Sequence, residues 1–438
     1  MLYRLVRTVV GLALSVFYRL ERSGGPLPAT GALLLVGNHP NALIDPALLL
    51  AICPRPLTFL AKAPLFHVPV LGPLLRALGA LPIQRRQDGP PDASANAAVL
   101  EAGSRALASG RALAIFPEGR SHSDPHLGDL KTGAARMALG AGIPVQVVAV
   151  GLTYAQKGRF RSAVHVEVGA CLTIAPLAAP SPSEVRALTA RIGEALRAVT
   201  LELDAWEDLP LIATAEALYA LRTDGPPEDV ERRRLFARGM ALLRQEQPRR
   251  YSELRSEVDA LSRRLSLVHA TPGEVAVHYR PVTVLRFLLR NAAALLLGLP
   301  LALAGWLVFL PWTLLVRAGL ALSHTEEDMR ATVKLVAALV LGPLYVAALA
   351  LAVAHFVGWG WACAFLLSAV PLALFTRGFL GQRKEALRDA RLFFQLGNRS
   401  ATKRHLLQEG GVLAASIQAL VEELGPRVSP KEEAAAPH

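Results

Sequence analysis

Asn38-His39-Pro40 is followed, six residues beyond the histidine, by Asp45, and the pair offers a base and its orienter. If the loop between them turns into a helix, the carboxylate meets one imidazole nitrogen and leaves the other free to take a proton from a hydroxyl. This is half of a nucleophilic triad, and it needs no protein nucleophile when the attacking group is a substrate alcohol. Taken alone, the spacing also suits a structural histidine. Two further clusters close apolar stretches in the same way. The run from Gly79 ends on Arg85 and Arg86, whose planar guanidinium groups present a fork to phosphate. A solvated loop start would read alike. Phe116-Pro117-Glu118-Gly119-Arg120-Ser121 follows another apolar run; Gly119 lets backbone approach a ligand and Glu118 can accept from substrate hydroxyls. A polar turn closing a buried strand is the plain alternative. Pro144 opens the next apolar run, a place permitted to proline at the start of a strand.

These residues need a frame that brings strand ends together. Apolar runs at 32–36, 57–60, 80–83, 112–116, 145–150 and 164–168 read as strands, with a helix over 93–108 among the stretches between them. Strands alternating with helices argue for an α/β domain whose chemistry lies in the loops at strand ends. A helical block runs from Ser181, opening with Ser181-Pro182-Ser183-Glu184, a capping-box spacing with proline at the first helical position. Val185, Leu188, Ile192, Leu196, Val199 and Leu203 recur there at helical spacing, so one face is packed. The block reads as accessory, covering the α/β domain.

Hydrophobic residues make up 52% and charged residues 19% of the 438, a balance that puts part of the chain in lipid. Residues 292–316 and 335–376 carry no Asp, Glu, Lys or Arg, where roughly 20 apolar residues span a bilayer. The second run is long enough for two spans turning at Gly358-Trp359-Gly360-Trp361. Lys334 before it and Arg377, Arg383, Lys384, Arg388 and Arg391 after it place both flanks on the cytoplasmic side. The first run is interrupted by Gly298, Pro300, Gly305 and Pro311 and has arginine at both flanks, which favours a hairpin over 284–320 against a single span. At the other terminus, residues 2–20 read as a retained interfacial helix or anchor, with a cleaved signal peptide as the alternative. The division expected is therefore a membrane-associated helix over 1–25, the α/β domain over 26–178, helices over 179–281, the membrane region over 282–380, and a basic cytoplasmic helix with a disordered tail over 381–438.

The formal net charge of +12 suits a solvated surface or attraction to anionic headgroups and phosphorylated substrates. Nucleic acid is disfavoured, since no Lys/Arg run is interleaved with aromatics. Three scattered cysteines imply neither a disulfide framework nor a zinc site.

Together the four motifs resemble the glycerolipid acyltransferases, whose blocks are N-H-x-x-x-x-D, G-x-x-x-x-x-R, F-P-E-G-x-R-S and a final P. Within that family residues 116–140, 150–162 and 216–238 are similar to the fungal-type glycerol-3-phosphate and dihydroxyacetone-phosphate branch, and the resemblance covers roughly residues 1 to 380. It implies an acyltransferase-type mixed sheet flanked by helices, followed by a helical block and C-terminal transmembrane helices. It implies His39 as general base, Asp45 as its orienter, Arg85 as phosphate ligand, and Glu118, Gly119 and Arg120 as the acceptor-binding loop, with Pro144 structural or near the acyl donor. The implied partners are membrane lipids, acyl-CoA or acyl carrier protein as co-substrate, and glycerol 3-phosphate or dihydroxyacetone phosphate, with 1-acylglycerol 3-phosphate as the alternative acceptor. No metal or redox cofactor is implied, and the catalytic domain is expected on the cytoplasmic face of an integral membrane protein. Two departures stand out. Five residues rather than four separate His39 from Asp45, and Arg120 follows Gly119 directly. The rivals are a hydrolase using Ser121 or Ser123, which lacks a G-x-S-x-G elbow, and a membrane scaffold or transport protein with a decayed domain.

Overall fold

The computed structural model describes residues 2–68, 71–83, 93–223, 229–277, 281–322, 326–397 and 400–428. Its strands are β1 (Tyr18–Gly24), β2 (Ala32–Gly37), β3 (Leu57–Lys62), β4 (Leu81–Ile83), β5 (Ala112–Ile115), β6 (Val145–Tyr154) and β7 (Ser162–Ile174). They form one mixed seven-stranded sheet in the order β1-β7-β6-β2-β5-β3-β4. All pairings are parallel except that of β6 with β7. The helices with this sheet are α1 (Leu2–Phe17), α2 (Ile44–Ile52), α3 (Leu71–Ala77), α4 (Ala93–Ala108), α5 (Gly133–Leu139) and α6 (Pro182–Val199).

Period-two alternation in the central strands decides which helix each side chain meets. Leu34 and Val36 of β2, Leu113 and Ile115 of β5, and Val147 and Ala149 of β6 share one buried cluster with Leu107, Met137, Leu188, Ile192 and Leu196 from α4, α5 and α6. Leu33 and Leu35, Ala112 and Ala114, and Val148 and Val150 join the opposite cluster, with Leu14 of α1 and Ile44, Leu48 and Leu49 of α2. Because both faces are covered, β2 reads as an unbroken apolar run, as central parallel strands do.

The chain divides into two compact units, the first made of Met1–Glu202 and His324–Leu335, the second of Leu203–Ser323 and Val336–His438. The second unit contains α7 (Asp208–Thr223), α8 (Val230–Glu246), α9 (Pro248–Leu267), α10 (Pro272–Ala276) and α11 (Pro281–Leu322). α12 (Glu327–Val336) lies almost wholly in the first unit; α13 (Gly342–Phe356), α14 (Trp359–Gln395) and α15 (Ala401–Val428) return to the second. Among the described residues, three helices are long and apolar enough to cross a membrane: Pro281–Leu322, Glu327–Phe356 and Trp359–Gln395.

Several boundaries differ from the sequence reading. Residues 18–24 leave the expected N-terminal helix and form edge strand β1; apart from Tyr18 its side chains are largely exposed, so no apolar alternation marks it. α6 belongs to the first unit rather than to an accessory block, and its predicted capping box is present, with the Ser181 hydroxyl accepting the Glu184 N–H and the Glu184 carboxylate accepting the Ser181 N–H. Within the stretch 381–438, where a disordered tail is expected, the chain is helical to Val428, beyond which it lies outside the described residues.

The hairpin expected over 284–320 is replaced by one continuous helix, α11, with Pro300 and Pro311 inside it. Gly298 and Gly305 are sites of close approach rather than turns. A Cβ at Gly298 would press into the Phe379 ring, and one at Gly305 would overlap Thr376 and Leu372, so both glycines admit α14. Small residues that let helix backbones approach are the usual means of packing in lipid. Gly305→Leu is therefore expected to destabilise the second unit by about 1–3 kcal/mol through overpacking, read as a lower unfolding midpoint in detergent. Gly319→Leu, where a side chain meets open space, should leave the midpoint unchanged.

Candidate active site

Three parallel strands deliver the candidate residues to one edge of the sheet. Gly37 of β2 pairs with Val150 of β6, and Val36 with Ile115 of β5, so the C-terminal ends of these neighbours open together. Such edges are where open α/β sheets bind ligands. Asn38 fixes the first loop by clasping β6 on both sides of one residue: its Nδ2 donates to the Leu152 carbonyl at 3.0 Å and its Oδ1 accepts the Leu152 N–H at 2.8 Å.

His39 and Asp45 meet. Nδ1 lies 2.8 Å from Asp45 Oδ2, with the carboxylate fully buried and the imidazole 11% exposed. The additional residue between them is accommodated by Ala42, whose φ of +39° makes the turn into α2. Asp45 is satisfied from two more directions: the Asn41 N–H donates to Oδ2 at 2.6 Å and the Tyr154 hydroxyl to Oδ1 at 2.5 Å. Burial first, and then the Asp45 charge, push Tyr154 well up from the usual tyrosine range, so it remains a proton donor. Tyr18, raised by burial and by Asp45, accepts from Asn41 Nδ2 at 3.2 Å and donates to the Lys157 carbonyl at 2.5 Å. With the Asp45 carboxylate as acceptor, Nδ1 is assigned the proton. Nε2 then presents a lone pair and has no protein partner among the described residues. One imidazole face stacks on Phe116, centroids 4.2 Å apart.

Glu118 has a different setting from that expected of an acceptor ligand. Its Oε1 accepts the His39 N–H at 2.8 Å, its Oε2 accepts the Gly128 N–H at 2.8 Å, and the His122 ring closes on the same oxygen. With 2% of its side chain exposed, it braces the backbone under His39. A substrate hydroxyl reaches it only if His122 or Gly128 moves. Gly119 takes φ +77°, a conformation that favours glycine. Arg120 is exposed and pairs with Asp124 at 3.3 Å. Arg85 lies outside the described residues, two positions beyond the end of β4. Pro144 precedes β6 and so sits at the strand end opposite Tyr154, about 30 Å away by strand rise, which removes it from the neighbourhood of His39.

Sequence reasoning paired His39 with Asp45 but gave no role to Tyr154, Tyr18, Asn41 or Asn38. Their parts depend on strand register across 109 or more residues for Tyr154 and Asn38, which no local spacing encodes. The one local signal is a tyrosine closing a mostly apolar strand.

Comparison with known proteins points to the same stretch of chain. Residues 20–151 match the family model Acyltransferase. Glycerol-3-phosphate O-acyltransferase 2 of Saccharomyces cerevisiae is 36% identical over 24% of this chain and 16% of its own length. The 1-acyl-sn-glycerol-3-phosphate acyltransferase of Borreliella burgdorferi is 29% identical over 27% of this chain and 45% of its own length. The chain thus matches less than half the length of either relative. Among solved structures, the 1-acyl-sn-glycerophosphate acyltransferase PlsC of Thermotoga maritima is 20% identical with a TM-score of 0.34, covering 45% of this chain and 78% of that one.

Tyr154→Phe removes one donor from a buried carboxylate, and a hydrogen bond to a charged group is worth about 1.5–3 kcal/mol. The variant is expected to lower the unfolding free energy of the first unit by that amount, measured by denaturant titration in detergent. Unchanged stability would mean that Asp45 finds a substitute donor.

Proposed function

We propose, from the Acyltransferase domain that residues 20–151 carry, that this chain moves a fatty acyl group from a thioester to a hydroxyl of a glycerol phosphate. The observation that carries the reading is the His39–Asp45 contact with Nε2 open. His39 takes the proton of the acceptor hydroxyl, the oxygen attacks the thioester carbonyl of acyl-CoA or acyl carrier protein, and the tetrahedral adduct collapses with loss of the thiolate. The imidazolium returns its proton to the departing sulfur. Asp45, held by Tyr154 and Asn41, keeps the ring in the orientation this requires.

Arg85 is read as the phosphate ligand, since β4 ends at the same edge of the sheet as β2 and β5. Glu118 and Gly119 shape the loop beneath His39, and Arg120 stands on its exposed side. Glycerol 3-phosphate or dihydroxyacetone phosphate is the favoured acceptor on the fungal-type resemblance, and 1-acylglycerol 3-phosphate the alternative, in keeping with the two kinds of relative. The three candidate spans hold such an enzyme where its product partitions, at about 0.8 kcal/mol per buried methylene. The basic flanks of the last two spans favour a cytoplasmic catalytic unit.

A hydrolase reading has one observation behind it: Lys157 Nζ lies 2.9 Å from Ser123 Oγ, the geometry of a nucleophile with a lysine base. Burial lowers Lys157 against the opposing charges of Glu327, Asp45, Asp328 and Asp124, but Ser123 stands in no G-x-S-x-G elbow.

His39→Ala should cut kcat by a factor of about 100–10,000 with circular dichroism unchanged, while Ser123→Ala retains activity. The reverse pattern would install the hydrolase, and absence of acyl transfer to every acceptor would favour a scaffold. In the wild type, a kcat/KM for 1-acylglycerol 3-phosphate well above that for both soluble phosphates would reassign the acceptor. Arg85→Ala should raise the acceptor KM far more than the donor KM. Lysine should rescue it only partly, because an ammonium offers a point charge where guanidinium offers a fork.

A further inference from the structure

The loop between His39 and Asp45 is closed from a distant part of the chain. α2 has no side-chain cap of its own at Leu43. The Leu43 N–H donates instead to Thr332 Oγ1 at 3.2 Å, across 289 residues. Thr332 lies in α12, within the segment that belongs to the first unit. The attachment of that segment does not rest on one bond. Ala331 is fully buried in the cluster that contains Tyr18, Ile44 and Leu48, and Lys334 Nζ donates to the Gly158 carbonyl at 2.7 Å in the β6–β7 turn.

Leu43 stands between the two residues whose placement matters most. Ala42 before it is held at positive φ, and a non-glycine residue stays in that region only where its surroundings over-determine it. Asp45 after it must arrive with its carboxylate at Nδ1 of His39. An amide fixed from outside, between a strained residue and the orienting carboxylate, sets the path of the chain through both.

We propose that Thr332 is a positioning residue of the acyl-transfer site, and that the first turns of the candidate span Glu327–Phe356 are a strut that holds the His39–Asp45 loop in register. The inference rests on the reading of His39 as base. It makes the start of a membrane helix part of the catalytic apparatus, so a chain cut before α12 would keep its sheet and lose its geometry.

Two substitutions separate positioning from packing. Thr332→Val keeps the shape and removes the acceptor; Thr332→Ser keeps the acceptor and removes a methyl group. If Thr332 only fills space, valine is the better replacement, and if it positions the loop, serine is. With the full chain in detergent, Thr332→Val is expected to lower kcat about 10- to 100-fold, the scale of a small misplacement of reacting groups, with the donor KM nearly unchanged. Thr332→Ser should restore most of the loss. Hydrogen exchange of the Leu43 amide should quicken in the valine variant while amides of β2 and β5 keep their protection. Wild-type kcat in Thr332→Val, serine faring worse than valine, or exchange quickening throughout the sheet would each overturn the proposal. Should no glycerol phosphate be acylated, the functional reading falls, and exchange at Leu43 still decides whether Thr332 holds the loop.

Discussion

A carboxylate taken wholly out of water is costly unless its charge and lone pairs are met, and the fully buried Asp45 imposes that condition on its surroundings. Its donors come from three places: the imidazole of His39, the backbone of Asn41 and the hydroxyl of Tyr154. Two of these lie in the loop leaving β2 and the third closes β6, so β2 and β6 must lie side by side and in one register. The parallel pairing from Ala32↔Val145 to Gly37↔Val150 supplies this. Asn38, gripping Leu152 by both of its backbone groups, locks the same two strands at their open end. The sheet order is in this sense a requirement of one ion.

A second buried carboxylate has a related duty. Glu118 leaves β5 and ties the His39 backbone to the loop at Gly128. Asp45 orients the imidazole ring and Glu118 anchors its main chain, so His39 is restrained at both ends while Phe116 covers one of its faces. The acidic residue in the motif is thus better explained by what it does to the histidine than by a direct hold on substrate.

The parts of this arrangement that were legible in the sequence are those with a local cause. Short apolar runs marked the central strands, Ser181 and Glu184 marked the start of α6, and the His39–Asp45 spacing marked the loop. β1 was illegible because an edge strand with outward polar side chains has no pattern to show. α11 departs from the expected hairpin because glycine and proline, turn signals in a soluble chain, do not break this apolar helix. In lipid, proline is tolerated within a helix, and Gly298 and Gly305 leave room for Phe379, Thr376 and Leu372 of α14. Tyr154 and Thr332 were invisible for a further reason: their partners are distant in sequence, and neither residue type announces such a contact.

The first unit is assembled from two stretches of chain, Met1–Glu202 and His324–Leu335, with the whole of α7 to α11 between them. A ribosome adding about 5–20 residues per second delivers the second stretch on the order of ten seconds after the first. During that interval the sheet has its seven described strands, while the place in the buried cluster that Ala331 will fill stands open and the Leu43 amide has yet to meet Thr332. The nascent domain must wait, partly finished, for a piece that emerges only after the long apolar helix α11 has been synthesised. Synthesis of the first candidate span and completion of the fold are thereby placed in a fixed order by the chain's own connectivity.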